Sequence, residues 1–237
     1  MDLLRHFKGS LTDFIFQSRC PLCDRTTALV LCPACQRQIR AQRYGRRQPL
    51  WQGSLPVFVW GQYGGGLRQA IAALKYNHQP RVAQLLGHWL AQDWLTSPQA
   101  KALMARGTRQ SRRSVVAVPI PMHADKRRQR GYDQAVLLAR QFCQSTGVPL
   151  RPRGLVRQRP TTPQFSLSKT DRQTNLAGAF RLGYCLSKRR HTVLLIDDIY
   201  TTGATARAAA AALRQAGLPI IGMVAVATTK NMPTDIR

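Results

Sequence analysis

With 237 residues, 44% of them hydrophobic, the chain can bury the core of one α/β domain and carry a small appendage, which excludes wholesale disorder. Lys and Arg number 36 against 10 acidic residues, a formal net charge of +26. Every acid is Asp, so chemistry resting on Glu is excluded, and the charge calls for a polyanionic partner, nucleic acid ahead of an anionic membrane surface.

In chain order, Leu3, Leu4, Phe7, Leu11, Phe14 and Ile15 predict a short amphipathic helix over 3–16. That opening is broken by Arg5, His6, Lys8 and Asp13 and has no A-x-A site, so it does not read as a signal peptide. The apolar run 220–227 falls short of the roughly 18 residues a membrane span requires. No transmembrane segment is expected, and a cytoplasmic location keeps thiols reduced.

Four of the six cysteines follow as Cys20-x2-Cys23 and Cys32-x2-Cys35, with eight residues between the pairs. Two such knuckles supply the four thiolates of a tetrahedral structural zinc site, closed and without an open catalytic position. Cys143 and Cys185 read as ordinary residues, and His6, His78, His88, His123 and His191 show no metal spacing. Residues 36–54, with Arg37, Arg40, Arg43, Arg46 and Arg47, read as a linker or solvated basic arm. The division expected is an N-terminal helix and four-cysteine module over 1–45, then one α/β domain over 46–237.

That domain opens with a strand at 57–63. Two helices follow, one carrying Leu67, Ile71 and Leu74, the next Val82, Leu85, Leu86, Trp89 and Leu90. Residues 97–113 read as a polar, basic loop. A buried strand, VVAVPIP at 115–121, precedes a helix over 132–146 that Gly147 ends. Residues 151–175 read as a long loop, of a length that in compact domains usually serves function. A strand at 192–197, a helix from Thr205 to Gln215 and a strand at 220–227 close the pattern. Strands alternating with helices predict a mostly parallel sheet flanked by helices.

The segment Val193-Leu194-Leu195-Ile196-Asp197-Asp198-Ile199-Tyr200-Thr201-Thr202-Gly203-Ala204-Thr205 carries the functional reading. An apolar strand ends in two carboxylates, then a hydroxyl-rich turn, then a helix. Ligands of open α/β sheets bind at the carboxyl ends of strands. A helix N-terminus behind a Thr/Gly turn offers backbone N–H groups to a phosphate, and Gly203 permits close approach. Carboxylates repel phosphate but accept from vicinal hydroxyls. Phosphate plus diol describes a ribose 5-phosphate.

This segment resembles the motif by which type I phosphoribosyltransferases bind phosphoribosyl pyrophosphate (PRPP). More of the chain resembles one branch, the ComF/GntX family, and within it the competence members of ComFC type. The CPLC…CPAC module, Leu74-Lys75-Tyr76 and Arg130-Gly131-Tyr132-Asp133-Gln134-Ala135 carry the likeness, together with Thr162-Pro163-Gln164, Arg172, Asn175 and Ala179-Phe180. It spans roughly 20–228. Tyr132-Asp133 stands where that family usually has Phe-Asn, a departure expected to matter little.

The resemblance implies that Asp197 and Asp198 bind the ribose hydroxyls and that Tyr200, Thr201, Thr202, Gly203, Ala204 and Thr205 wrap the 5-phosphate. Pro119 and Ile120 would approach the pyrophosphate, and Mg2+ would accompany PRPP, held mainly by substrate oxygens. It also implies a competence role: binding of PRPP and single-stranded DNA, assistance to DNA uptake in natural transformation, and contact with other parts of the uptake machinery such as its helicase, from the cytoplasm or peripherally at the inner face of the membrane. No acceptor-reading constellation is present in the sequence. The alternatives are therefore an active phosphoribosyltransferase on an unidentified base or related acceptor, and a PRPP-sensing regulator.

The charge supports the DNA reading independently. Lys126, Arg127, Arg128 and Arg130 follow the 115–118 strand and are the candidate nucleic-acid contacts. Further basic clusters lie at Arg106, Arg109, Arg112 and Arg113, at Arg151, Arg153, Arg157 and Arg159, and at Lys188, Arg189 and Arg190.

Overall fold

The computed structural model describes residues 18–45, 54–109, 113–158 and 178–230. The helix expected over 3–16, the residues Arg46, Arg47, Arg112 and Arg159, and the Thr162-Pro163-Gln164, Arg172 and Asn175 stretch lie outside them. The elements in chain order are β1 (Ser18–Arg19), β2 (Thr26–Thr27), α1 (Pro33–Arg40), β3 (Val57–Gln62), α2 (Gly65–Tyr76), α3 (Arg81–Thr96), α4 (Pro98–Arg109) and β4 (Ser114–Pro119). Then come α5 (Ala124–Arg130), α6 (Gln134–Thr146), β5 (Leu155–Arg157), β6 (Phe180–Leu182), β7 (His191–Tyr200), α7 (Ala204–Gln215) and β8 (Ile220–Thr228).

β3, β8, β7 and β4 form a parallel sheet in that order. Its strands are near-continuous apolar runs because both faces are covered. Side chains alternate between the faces. Phe58, Trp60, Ala117, Leu194, Ile196, Val224 and Val226 pack with α2, α3 and α6 on one face. Val57, Val59, Val116, Val118, Leu195, Met223 and Ala225 pack with α7 and the β5–β6 ribbon on the other. The expected mostly parallel α/β sheet is therefore present.

Three local expectations are corrected. Residues 97–113 are not a loop: α4 occupies Pro98–Arg109. Its polar composition hides a stripe at helical spacing, in which Ala100, Leu103 and Gly107 are buried. The Ser97 hydroxyl accepts the Ala100 N–H at 3.2 Å and caps the helix.

Residues 36–45 are not a solvated arm. α1 runs to Arg40, the Arg40 guanidinium lies 4.3 Å from the Trp89 ring centroid, and Arg43 makes two bonds to buried Asp93, at 2.6 and 2.7 Å. Backbone bonds from Tyr44 N–H to Trp60 C=O (3.0 Å) and from Gln62 N–H to Gln42 C=O (2.9 Å) hold this stretch along the edge of β3. The long loop at 151–175 contains part of an antiparallel ribbon, with Leu155 opposite Leu182 and Arg157 opposite Phe180.

The four-cysteine segment packs onto the same core: Leu31, Cys35 and Ile39 are buried in the cluster that holds Phe58 and Leu67. Gly66 makes the fit possible, because a Cβ there would lie 2.9 Å from the Ile39 backbone N and 3.0 Å from the backbone of Gln38. Cys143 is buried in that core too, and burial pushes its thiol up to about 12, as suits an inert packing residue. No helix among the described residues is long and apolar enough to cross a membrane.

Candidate functional site

β7 extends past the expected 197. It pairs with β4 only as far as Pro119 opposite Ile196, and the Ile120 N–H still reaches the Ile196 C=O at 2.8 Å. Its pairing with β8 continues, Asp197 opposite Ala225 and Tyr200 opposite Thr228. The two carboxylates thus lie inside a strand, at the point where β4 peels away and leaves one side of β7 open. The register puts Pro119 and Ile120 beside that opening.

Alternation sends the two carboxylates to opposite faces. Asp198 is 4% exposed, on the α2/α6 face, where its Oδ2 meets the Lys75 Nζ at 2.7 Å. Burial alone pulls Lys75 down, but Asp198, with Asp197 behind it, offsets this and leaves the amine above its usual value. Asp197 turns toward the α7 face. Burial first, then the neighbouring Asp198 charge, push its carboxyl well above the usual range, while the Asp198 N–H donates to its Oδ1 at 2.8 Å. Across that face Arg157 is held below its usual value by burial, with Asp197 opposing the shift. In sequence the pair reads as one diol-binding unit; the fold gives its members different surroundings.

The turn beyond β7 leads into α7. Gly203 is the N-cap residue in the left-handed conformation, φ 78°, where a Cβ would be strained. The Thr202 hydroxyl accepts the Ala204 N–H at 3.3 Å, and the Thr228 hydroxyl donates to the Tyr200 C=O at 2.7 Å. Thr201, Thr202 and Thr205 are half-buried around the start of the helix, where backbone N–H groups and the positive dipole end lie.

Two residues to which the sequence reading gave no role organise the opposite wall. Asp133 caps α6 through Oδ1, which accepts from Ala135 N–H at 3.0 Å, and through Oδ2 accepts the Met122 N–H at 3.1 Å. Tyr132 donates its hydroxyl to the Leu74 C=O at 2.5 Å. Both contacts depend on the departures from the family's usual Phe-Asn. A Phe has no hydroxyl, and an Asn has one acceptor oxygen where Asp133 uses two. The departure expected to matter little therefore adds two ties, one to α2 and one to the chain after Ile120. The signal was there in the polar atoms of Tyr132 and Asp133.

α5, which the sequence reading did not separate, carries Lys126, Arg127, Arg128 and Arg130 and buries no residue. Arg128 pairs with Asp125, an exposed i,i+3 contact of little energetic weight. Arg130 donates to the Gln134 Oε1 at 2.5 Å. The Lys126 amine is drawn below its usual value by partial desolvation, then by Arg157, Arg130 and Lys75. Cations from α2, α5 and β5 are thus near enough for their charges to act on Lys126.

Away from this edge, the sulfurs of Cys20, Cys23, Cys32 and Cys35 all lie within 4.8 Å of one another. The Cys32 N–H points at the Cys20 Sγ (3.4 Å), and Cys23 and Asp24 N–H groups turn back to the Cys20 C=O, closing a tight knuckle. A backbone hydrogen bond from Cys35, working against desolvation, brings the Cys32 thiol down to about 7, while desolvation and the hydrogen bonds with its neighbours push the Cys35 thiol up. The four-thiolate set can hold a tetrahedral metal such as zinc.

The parallel sheet, the open edge at Asp197 and the Thr/Gly turn define an α/β domain with its candidate site at the carboxyl ends of the strands. The adenine phosphoribosyltransferase of Leishmania donovani covers 87% of this chain at 10% identity, with a TM-score of 0.37. Among curated proteins the chain is similar to Competence protein F of Haemophilus influenzae, 28% identical over 225 residues that span 86% of this chain and 93% of the relative. It is also similar to the DNA utilization protein YhgH of Salmonella typhimurium, 27% identical over 193 residues, 78% of this chain and 79% of that one. No family model matches the chain. The likeness to competence proteins of the ComF/GntX type, read from the motifs, is thus met by curated relatives along most of the chain.

Proposed function

We propose that the chain binds PRPP at the open carboxyl edge of the sheet, binds single-stranded DNA through α5, and assists DNA uptake as a ComF-like protein. The observation that carries the PRPP reading is the continuous run from Asp197 to Thr205: a carboxylate where β4 peels off, a left-handed Gly203 and a helix N-terminus, with Pro119 and Ile120 beside them. In this reading Asp197 accepts from the ribose hydroxyls, and Asp198, held by Lys75, fixes the strand beneath it. Tyr200, Thr201, Thr202, Gly203, Ala204 and Thr205 surround the 5-phosphate. Pro119, Ile120 and the nearby cations face the pyrophosphate. Mg2+ bound with PRPP would be held mainly by substrate oxygens and would supply charge neutralisation on the pyrophosphate.

The DNA arm of the reading rests on the +26 charge, on the cations of α5, and on relatives named for competence and DNA utilization. The four-cysteine module within 1–45 is a structural zinc unit docked on the 46–237 domain. Partners in the uptake machinery, a helicase among them, and a peripheral place at the inner membrane face belong to the same reading.

The test is a titration of PRPP and of single-stranded DNA, each with and without magnesium and the other ligand, at several salt concentrations. DNA affinity is expected to fall with salt by about 0.7 log units per log unit for each phosphate neutralised. Replacing Lys126, Arg127 and Arg128 with Ala should flatten that slope. Absence of PRPP binding refutes the site, and base-dependent release of pyrophosphate would make the protein a transferase. Metal analysis of purified protein should find near-stoichiometric zinc, lost in Cys32→Ser.

A further inference from the structure

We propose that Tyr76 is a base-stacking platform for single-stranded DNA, set beside the phosphate-binding cations of α5. The proposal rests on the DNA reading above and adds to it the residue that holds a base.

Tyr76 is 70% exposed, an unusual position for a large aromatic that closes a helix whose other face is core. Its backbone is pinned nonetheless. The preceding Lys75 is anchored on Asp198 at 2.7 Å, and the Leu74 C=O accepts the Tyr132 hydroxyl at 2.5 Å. The ring is therefore carried on a fixed backbone point, which lowers part of the ordering cost of binding. The Arg130 guanidinium lies 5.7 Å from the ring centroid and is itself held by Gln134 at 2.5 Å. Arg130 ends α5, so the ring adjoins a helix that buries nothing and carries four cations.

Single-strand binding combines two parts, cations that follow the phosphates and an aromatic face that takes a base. Both are here on neighbouring elements tied together by Tyr132. The occupant is a single strand because a paired, stacked base offers no free face to a ring, whereas an unpaired base does. Charge complementarity with the basic surface selects a polyanion over an apolar partner.

The experiment is fluorescence anisotropy of the full chain with a labelled oligothymidylate across a salt series, repeated with an abasic strand of equal length. Tyr76→Ala is expected to weaken binding about ten-fold, the scale of one base–aromatic stack, with the salt slope unchanged. Tyr76→Phe should keep wild-type affinity, and on the abasic strand wild type and Tyr76→Ala should bind alike. If wild type binds the oligothymidylate and Tyr76→Ala binds it equally well, the platform is overturned while the DNA reading stands. A loss of Tyr76→Ala affinity that is equal on the abasic strand also overturns it, since no base would be involved. If wild type shows no salt-dependent binding, the DNA reading itself fails and takes the platform with it.

Discussion

At the carboxyl edge of the sheet, the two faces treat neighbouring carboxylates in opposite ways. On the α2/α6 side Asp198 is buried and matched by Lys75 at 2.7 Å. On the α7 side Asp197 is half-buried without so close a match, and its carboxyl is pushed well up, by desolvation first and by Asp198 second. One face is electrostatically complete before any ligand arrives. On the other, the surroundings disfavour the charged form of the carboxyl. The difference teaches that adjacent acids in one motif need not share one environment: one is matched by a lysine, the other is not.

The sharpest way to break this comparison is to remove Lys75. Lys75→Met leaves Asp198 buried without its cation and should destabilise the fold by roughly 3–5 kcal/mol, with much of the loss recovered in the double variant Lys75→Met/Asp198→Asn. Urea unfolding measures it; wild-type stability in the single variant would show that the pair is not a brace. Asp197→Asn should do the reverse, leaving stability equal or higher while weakening PRPP binding by about 1.5–3 kcal/mol. Calorimetry beside thermal melting reads both effects, and a large drop in melting temperature would erase the distinction.

The comparison can be sharpened by pH. A carboxyl whose folded value is raised contributes stability that is fully present below its unfolded value, about 3.9, and is lost as pH rises through the folded value. Asp197 and, by burial, Asp133 both have this sign. Unfolding free energy should therefore fall as pH climbs through their folded values, and Asp197→Asn should flatten that fall. Lys75 is also raised, so the stability it adds is lost only above the ordinary lysine value. Smallest of all, Tyr132→Phe and Asp133→Asn should each cost about 1 kcal/mol, a typical single hydrogen bond, read by urea unfolding.

The strand and helix order was legible because apolar runs punctuated by Gly and Pro survive without tertiary information. The Thr/Gly turn was legible because its chemistry is local. α4 was not: Arg106 and Thr108 dilute a stripe that Ala100, Leu103 and Gly107 complete only against the sheet. The ordered course of 36–45 was hidden for a similar reason, since Arg43 looks solvated until Asp93, fifty residues on, arrives opposite it. The division of labour between Asp197 and Asp198 follows from period-two alternation once the strand is known to continue to Tyr200. The turn signal at Thr201-Thr202-Gly203 had suggested an earlier end. Lys75 needed the third dimension, because nothing in its neighbours names Asp198 as its partner.

Gly66 has a consequence at a distance. It lies in the first turn of α2, pressed against the backbone of the cysteine module, and the last turn of the same helix delivers Lys75 and Tyr76. Twelve residues of helix, about 18 Å long, make a stiff rod with the backbone of α1 against one end and the Lys75–Asp198 pair at the other. A side chain forced in at Gly66 would lever the far end, so a substitution remote from every ligand should misplace the brace beneath Asp198 and the ring of Tyr76 together.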